Sequence, residues 1–130
     1  MKILIVDDEP KTVRLLERWL CEKGYPVAVA FDGKTALRML KEHAYDLMFV
    51  DLNLPELTGV ELIKRVKQGG LRTKTVLITG YPAMDEFFAR TMGADAYLEK
   101  PFRLSDIARI IQHQEGADGF HKRSEANSGY

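Results

Sequence analysis

Four segments of the chain end in residues that together can hold a divalent cation and accept a phosphoryl group. Asp7 and Asp8 follow the first short apolar run, and Asp51 follows the third. Thr79 and Lys100 lie at the ends of the fourth and fifth runs. Carboxylates are the ligands that Mg²⁺ prefers, and a hydroxyl and an ammonium can donate to phosphoryl oxygens. If the fold brings them together, these residue types predict phosphoryl transfer onto a carboxylate.

The apolar runs alternate with segments of helical periodicity. Each run is only a few residues long and nearly all apolar, which is typical of strands buried on both faces of a parallel sheet. The predicted strands are Lys2–Val6, Val27–Ala30, Asp46–Val50, Thr75–Ile78 and Ala96–Leu98. Five repeats of a strand and a helix predict an α/β fold, a single doubly wound (βα)5 domain with a five-stranded parallel sheet and helices on both faces.

The helical segments lie between the strands, at about residues 10–23, 34–43, 60–68, 83–92 and 104–111. Apolar residues recur at helical spacing in each of them. In the fourth, Phe87, Phe88 and Met92 form a stripe, a pattern that is more often core than docking surface, so we predict core packing. From about Glu115 the composition changes to small and polar residues without apolar periodicity. We therefore predict a domain over residues 1–114 and a flexible tail, or the start of a linker, over residues 115–130.

The position of the polar residues follows from this architecture. Ligands of open α/β sheets bind at the carboxyl ends of the strands, where the strand order reverses. The first and third strands are expected to be neighbours, which would bring Asp7, Asp8 and Asp51 together. Three carboxylates in close proximity repel one another, and a hard divalent cation removes that conflict. The sequence therefore predicts a magnesium site at this edge of the sheet.

Composition narrows the class of protein. The chain has 130 residues with 19 basic and 19 acidic side chains, so its formal net charge is zero. No strong attraction to nucleic acid or to a membrane surface is expected. A single cysteine excludes an internal disulfide and a cysteine zinc site. Because no apolar run reaches the length of a signal peptide or a bilayer span, we expect a soluble, cytoplasmic domain.

The four strand-end segments resemble those of the receiver domains of bacterial two-component response regulators, the family that includes the chemotaxis response regulator. The segments are ILIVDDE, FVDLNLPELTG, LITG and YLEKPF, in this order along the chain. The resemblance covers about residues 2–114. It implies a flavodoxin-like sheet with strand order 2-1-3-4-5. It also implies a regulatory phosphoacceptor in signal transduction or a phosphorelay, which assists only its own phosphorylation and slow dephosphorylation and is not an enzyme.

By this resemblance, Asp51 is the phosphoacceptor and forms an aspartyl phosphate. The donor is a sensor histidine kinase, a phosphotransfer protein or a small phosphodonor. Asp8 would ligate Mg²⁺ directly, and Asp7 would act through a metal-bound water. Asp51 and the backbone carbonyl of Asn53 would complete the protein ligands, and Mn²⁺ can take the place of Mg²⁺.

The same resemblance assigns the remaining residues. Lys100 and Thr79 would contact the phosphoryl oxygens, and Tyr97 would turn inward as Thr79 moves. Gly80 and Pro101 would support the backbone around the site. The face formed by the fourth helix, fifth strand and fifth helix would then switch to bind a partner or to form a homodimer. An effector domain outside this chain is a further expected partner.

Three other functions are weighed against this one. Haloacid-dehalogenase-type phosphatases also form an aspartyl phosphate, but they carry a second aspartate where this chain has Asn53. Flavodoxin-type carriers need a small, polar phosphate loop after the first strand, where Asp7 and Asp8 would repel a phosphate. A receiver that acts without phosphorylation would not need the acids or Lys100. A flavin would give visible absorbance, and loss of Mg²⁺-dependent phosphorylation would favour the third function.

Overall fold

The computed structural model describes residues 1–80 and 86–119, with side chains described for residues 1–80 and 87–115. In these residues five strands alternate with five helices. The strands are β1 (Ile3–Val6), β2 (Val27–Ala30), β3 (Leu47–Asp51), β4 (Lys74–Thr79) and β5 (Ala96–Glu99). The helices are α1 (Pro10–Glu22), α2 (Gly33–Glu42), α3 (Gly59–Gln68), α4 (Glu86–Thr91) and α5 (Leu104–Gly119).

The five strands form one sheet in the order β2-β1-β3-β4-β5, and every neighbouring pair is parallel. Ile3 of β1 pairs with Leu47 of β3, and Asp51 at the end of β3 pairs with Ile78 of β4. The order reverses between β1 and β3, as predicted. The α/β fold class and the strand order are thus confirmed.

The chain divides into two compact units, Met1–Lys100 and Pro101–Tyr130. In the first unit β1, β3 and nearly all of β4 are buried on both sides, and alternate residues of each strand face opposite layers. Leu4 and Val6 belong to a core shared with buried residues of α2, α3 and α4. Ile3 and Ile5 point to the other side, where α1 packs on β1 and β2. Helices therefore cover both faces of the sheet within this unit.

The second unit contains α5, in which Ile107 and Ile111 are buried. The helix continues to Gly119, beyond the predicted last helical residue 111 and past the predicted domain boundary at residue 114. Residues 120–130 of the predicted tail lie outside the described residues, so this boundary stays a prediction. Across the parts of the chain that the structure describes, no helix has the length and apolar character needed to span a bilayer.

Helix α4 differs from the sequence prediction in the residues that it buries. The side chains of Phe87 and Phe88 are 79% and 41% exposed, whereas Ala89 is buried in the core. The prediction that both phenylalanines are core residues was wrong. A short helix that contacts β5 can bury one narrow stripe, and the small Ala89 occupies it. The predicted start of this helix, at residues 83–85, lies outside the described residues.

The loop between β3 and α3 contains a strained residue. Glu56 has a φ of +67°, a left-handed conformation that costs a side-chain-bearing residue about 1 kcal/mol. Its carboxylate pairs with Lys34 at 3.5 Å, but both side chains are exposed, and such pairs contribute little. We therefore expect Glu56→Gly to raise the free energy of unfolding by about 1 kcal/mol, measured by urea denaturation.

Gly70 supplies the matched control for this prediction. It has nearly the same φ, +70°, and a Cβ added there would meet no atom within 4 Å. Gly70→Ala should therefore lower the free energy of unfolding by about 1 kcal/mol for backbone reasons alone. A stability change of the same sign in both variants would contradict the assignment of strain to Glu56.

Candidate functional site

Three aspartates meet at the carboxyl ends of β1 and β3. Asp7 follows the last residue of β1, and Asp51 is the last residue of β3, the neighbouring strand. Asp7 is fully buried and Asp51 is 7% exposed, whereas Asp8 lies at the surface. One carboxylate oxygen from each of Asp7, Asp8 and Asp51 lies within 4.8 Å of the others. The predicted convergence of these acids is therefore present in the structure.

Lys100 faces this cluster from the end of β5. Its Nζ atom lies 3.2 Å from Asp7 Oδ2, 3.3 Å from Asp51 Oδ2 and 3.3 Å from Glu9 Oε1. Its backbone N–H donates to the carbonyl of Thr79 at 2.7 Å, which ties the residue after β5 to the end of β4. The ends of four strands thus contribute to one site, with a single ammonium opposite several carboxylates.

The two buried carboxylates are oriented in the same way. Asp7 Oδ1 accepts a hydrogen bond from the backbone N–H of Glu9 at 2.9 Å, and Asp51 Oδ1 accepts one from the backbone N–H of Asn53 at 3.2 Å. In each case the Asp side chain accepts a hydrogen bond from the backbone two residues further on, and this local turn fixes the position of Oδ1. The other oxygen, Oδ2, then faces Lys100. The backbone of the two loops therefore determines where both carboxylates point.

Burial and charge change the proton affinity of these groups. Burial, reinforced by the negative charge of Asp7, raises the pKa of Asp51 to about 6, although Lys100 and the Asn53 amide act in the opposite direction. Burial lowers the pKa of Lys100, but the charges of Asp51 and Asp7 outweigh it, so the pKa lies above its usual value. Lys100 is therefore protonated at neutral pH, and the raised pKa of about 6 brings the titration of Asp51 towards neutral pH.

The donor set fits a hard divalent cation. It consists of carboxylate oxygens, which suit Mg²⁺ better than softer metals. Asp7 Oδ2 is buried and has no hydrogen-bond donor of suitable geometry among the described residues, and its ion pair with Lys100 is shared with two other acids. A buried carboxylate oxygen in this state is costly, and a cation would satisfy it. Asp7, Asp8 and Asp51 can therefore hold a metal ion.

Gly59 makes the backbone of the site possible. A Cβ added to this residue would lie 2.3 Å from the carbonyl oxygen of Asp51, which is a backbone atom that cannot move aside easily. The Gly59 N–H donates to the carbonyl of Leu52 at 3.1 Å, so α3 begins directly against the end of β3. Thr58 precedes it as the helix cap. Gly59 was not among the predicted site residues, although a glycine directly after a capping threonine was a usable signal.

The other predicted site residues have defined positions. Thr79 is buried at the end of β4, one residue beyond the pairing partner of Asp51. Tyr97 is half-buried in β5 and packs against the core that α4 shares. A Cβ added at Gly80 would lie 4.0 Å from Lys100 Cβ, an ordinary contact. Asn53 is exposed, and Pro101 is the first residue of the second unit. The roles of these five residues remain predictions.

Glu9 is the residue at the site that sequence analysis left without a role. Its carboxylate makes the third contact of Lys100, and its side chain is 52% exposed. The hydroxyl of Thr12 and the ammonium of Lys100 stabilise its charged form and lower the pKa of Glu9. Its position directly after Asp7 and Asp8 could have indicated that it lies at the site. A further acid next to the three aspartates adds negative charge that a bound cation must offset.

A parallel sheet of this order, with acids and a lysine at its carboxyl edge, defines a phosphoacceptor class of regulatory domain. The response regulator receiver domain family matches residues 3–112, and the chain belongs to this family. Membership confirms the resemblance drawn from the strand-end segments. The acidic pocket of Asp7, Asp8 and Asp51 fits the phosphorylation site of such a domain.

Individual relatives agree with this assignment. The alkaline phosphatase synthesis transcriptional regulatory protein PhoP of Bacillus subtilis is 40% identical over 114 residues, covering 84% of this chain and 46% of PhoP. A Francisella response regulator receiver domain has a TM-score of 0.84 at 26% identity, covering 91% of this chain and 98% of that one. The Thermotoga maritima response regulator TrrA, solved with Mg²⁺-BeF, has a TM-score of 0.78 at 29% identity, covering 87% and 97%. The chain spans about half the length of the curated sequence relatives it matches, such as PhoP.

Proposed function

We propose that Asp51 accepts a phosphoryl group in a Mg²⁺-dependent reaction and that the chain reports this event to a partner. The observation that supports the proposal is the meeting of Asp51, Asp7 and Lys100 at one strand edge, with ion-pair distances of 3.2 and 3.3 Å. A buried carboxylate beside an ammonium and a cluster that can hold a divalent cation suits phosphoryl transfer, because the ammonium and the cation together can offset the charge of the phosphoryl oxygens.

The chemistry at Asp51 follows from its position. A carboxylate oxygen of Asp51 forms a bond to phosphorus as the bond between phosphorus and the donor's leaving group breaks, and the electron pair leaves with that group. Lys100 Nζ can donate to a phosphoryl oxygen, since it already lies 3.3 Å from Asp51 Oδ2. Thr79 would supply a hydroxyl donor from the end of β4. When bound at Asp7, Asp8, Asp51 and the Asn53 carbonyl, Mg²⁺ supplies positive charge that offsets the carboxylates and the incoming phosphoryl oxygens.

The proposed switch begins at Lys100 and Thr79. An aspartyl phosphate adds charge and acceptor oxygens that these two residues satisfy only in one arrangement. Thr79 and Tyr97 lie on neighbouring strands, and Tyr97 packs against the core shared with α4. We propose that the surface of α4 and β5 exists in two packings and that phosphorylation shifts the equilibrium between them. Phe87 and Phe88, both exposed on α4, lie on this proposed surface.

The partners proposed for the chain follow from its family. A sensor histidine kinase or a phosphotransfer protein would supply the phosphoryl group. The relatives it matches are about twice as long, and PhoP is a transcriptional regulatory protein, so we propose an effector domain beyond this chain as the recipient of the signal. A homodimer through the switching surface is the second proposed output.

The test is to treat the chain with acetyl phosphate in Mg²⁺ and, separately, in excess EDTA, and to follow its intact mass. We expect the mass of one phosphoryl group to be added in Mg²⁺ and none in EDTA. Borohydride reduction and peptide mapping should place the modification at Asp51. A chain that stays unmodified in Mg²⁺, or that is modified equally in EDTA, would rule out the proposed reaction.

A further inference from the structure

Lys100 has one more carboxylate partner than the proposed reaction needs. Its ammonium has three N–H groups, and three carboxylates lie 3.2–3.3 Å from Nζ. Two of them, Asp7 and Asp51, belong to the cation cluster. Glu9 does not belong to it, yet it contacts Lys100 at the same distance. Only Asp51 and Glu9 accept hydrogen bonds from Nζ, and the contact with Asp7 is an ion pair. Of the two acceptors only Glu9 is exposed, so it is the one that competes with an incoming phosphoryl oxygen for the ammonium.

The structure holds the Glu9 carboxylate in place from helix α1. Oε1 accepts a hydrogen bond from Thr12 Oγ1 at 2.7 Å, and the Glu9 carbonyl accepts one from the N–H of Val13 at 3.1 Å. Its backbone N–H is fixed on Asp7. A long, half-exposed side chain would otherwise sample many rotamers, so these contacts keep a negative charge next to Lys100, on the solvent-exposed side of that contact.

Glu9 also determines the net charge of the site when a divalent cation is bound. A divalent cation and the ammonium of Lys100 together offset the three aspartates, Asp7, Asp8 and Asp51. The charge of Glu9 then remains without compensation among these groups, on a side chain that is 52% exposed and contacts Lys100. It would repel an approaching anion in proportion to the negative charge of that anion.

We infer that Glu9 is a specificity-determining residue that disfavours small phosphoryl donors according to their negative charge. The inference rests on the proposed phosphorylation of Asp51. Glu9 acts on the donor through its charge and through its competition for Lys100. A small free anion arrives with its own charge alone and meets the full repulsion. A donor held in a larger partner can bring positive groups that offset Glu9.

The test compares Glu9→Gln with the wild-type chain for two donors at pH 7, with Mg²⁺ saturating. Acetyl phosphate carries two negative charges at this pH and phosphoramidate carries one. We expect the substitution to raise the second-order rate constant about tenfold for acetyl phosphate and about threefold for phosphoramidate, because the repulsion doubles with the donor's charge. In the wild-type chain, added salt should raise the acetyl phosphate rate more than the phosphoramidate rate.

Glu22→Gln is the matched control, since it makes the same change of charge at the exposed far end of α1. It should leave both rate constants as in the wild-type chain. Beryllofluoride binding gives a second measurement that involves no phosphoryl transfer. Because this anion carries a single negative charge, as phosphoramidate does, its affinity in Mg²⁺ should rise about threefold in Glu9→Gln. Equal changes for both donors, or no change in Glu9→Gln and no salt effect, would overturn the role of Glu9. Failure of the wild-type chain to react with either donor would instead overturn the proposed function.

Discussion

Replacing Asp51 with asparagine should abolish labelling of the chain by acetyl phosphate in Mg²⁺. The amide is a much weaker nucleophile than the carboxylate and removes a charge from the cation cluster, while its size leaves the end of β3 unchanged. Intact mass after incubation measures the label, and circular dichroism checks that the fold is retained. The backbone hydrogen bond that Asn53 donates to Asp51 Oδ1 can be kept by the amide oxygen of the variant.

Asp8→Asn is the control for this result. Asp8 is exposed and belongs to the cation cluster, but the proposed reaction forms no bond to it. Its variant should still be labelled at Asp51, with a higher concentration of Mg²⁺ needed for half the maximal rate. A label on the Asp51→Asn chain at the wild-type level would show that another residue is the acceptor.

Asp51→Asn should also stabilise the metal-free chain at neutral pH. The pKa of Asp51 is raised from an ordinary 3.8 to about 6, so the folded state binds the proton more tightly than the unfolded state. The contribution of Asp51 to stability is therefore greatest below pH 4 and is lost as the pH rises through 6. In EDTA at pH 7.5, we expect Asp51→Asn to unfold with a free energy about 2 kcal/mol above that of the wild-type chain.

Two measurements check the sign of this effect. Urea denaturation in EDTA at pH 4 should show a much smaller difference between Asp51→Asn and wild type, because the wild-type carboxyl is then protonated in the folded state. Adding Mg²⁺ at pH 7.5 should stabilise the wild-type chain more than the variant, since a ligand stabilises the state that binds it. A wild-type chain that is the more stable of the two in EDTA at pH 7.5 would contradict the raised pKa.

The strands and most helices were predictable because their signals are local. Five apolar runs bounded by polar residues placed each strand to within about two residues. The start of α3 carries a local signal that was not used: the side chains of Thr58 and Glu61 satisfy each other's backbone N–H groups. The order 2-1-3-4-5 is different, because periodicity does not encode which strands pair. That part of the fold came from the resemblance of the strand-end segments to a family.

The features that the sequence did not reveal depend on contacts between distant segments. Glu9 meets Lys100 across 91 residues, and nothing in either segment indicates this contact. Gly33 is required because it packs against the loop between β3 and α3, where an added Cβ would lie 2.4 Å from the carbonyl oxygen of Leu57. The exposure of Phe87 has a similar origin: a helical stripe shows which residues share a face, but only packing shows which face is covered.

Lys100→Met should both slow phosphorylation and destabilise the metal-free chain. The ammonium is the shared partner of Asp7 and Asp51, which are both buried, and its loss leaves their charges unpaired. Removing one partner of a buried ion pair costs about 3 kcal/mol. The loss of a donor to the phosphoryl oxygens should also lower the rate constant for acetyl phosphate about 100-fold. Urea denaturation in EDTA and the labelling rate in Mg²⁺ measure the two effects.

Lys67→Met is the matched control for stability. Lys67 pairs with Asp95 at 3.3 Å, but its side chain is 44% exposed, so the same substitution should cost less than about 1 kcal/mol. It should leave labelling unchanged, since Lys67 lies in α3 and contacts none of the site residues among the described contacts. Similar losses of stability in Lys100→Met and Lys67→Met would show that the buried acids do not depend on Lys100.

Lys100→Arg separates the charge of the lysine from its shape. The guanidinium keeps the positive charge, so the metal-free chain should regain most of its stability at pH 7.5. Its planar, bulkier head cannot occupy the position of one Nζ atom that contacts Asp7, Asp51 and Glu9 together, so labelling should remain slow. In Lys100→Met, lowering the pH should instead restore stability without restoring labelling, because a protonated Asp51 tolerates burial but is no nucleophile. If Lys100→Arg is labelled at the wild-type rate, positive charge alone is what Asp51 requires of this position.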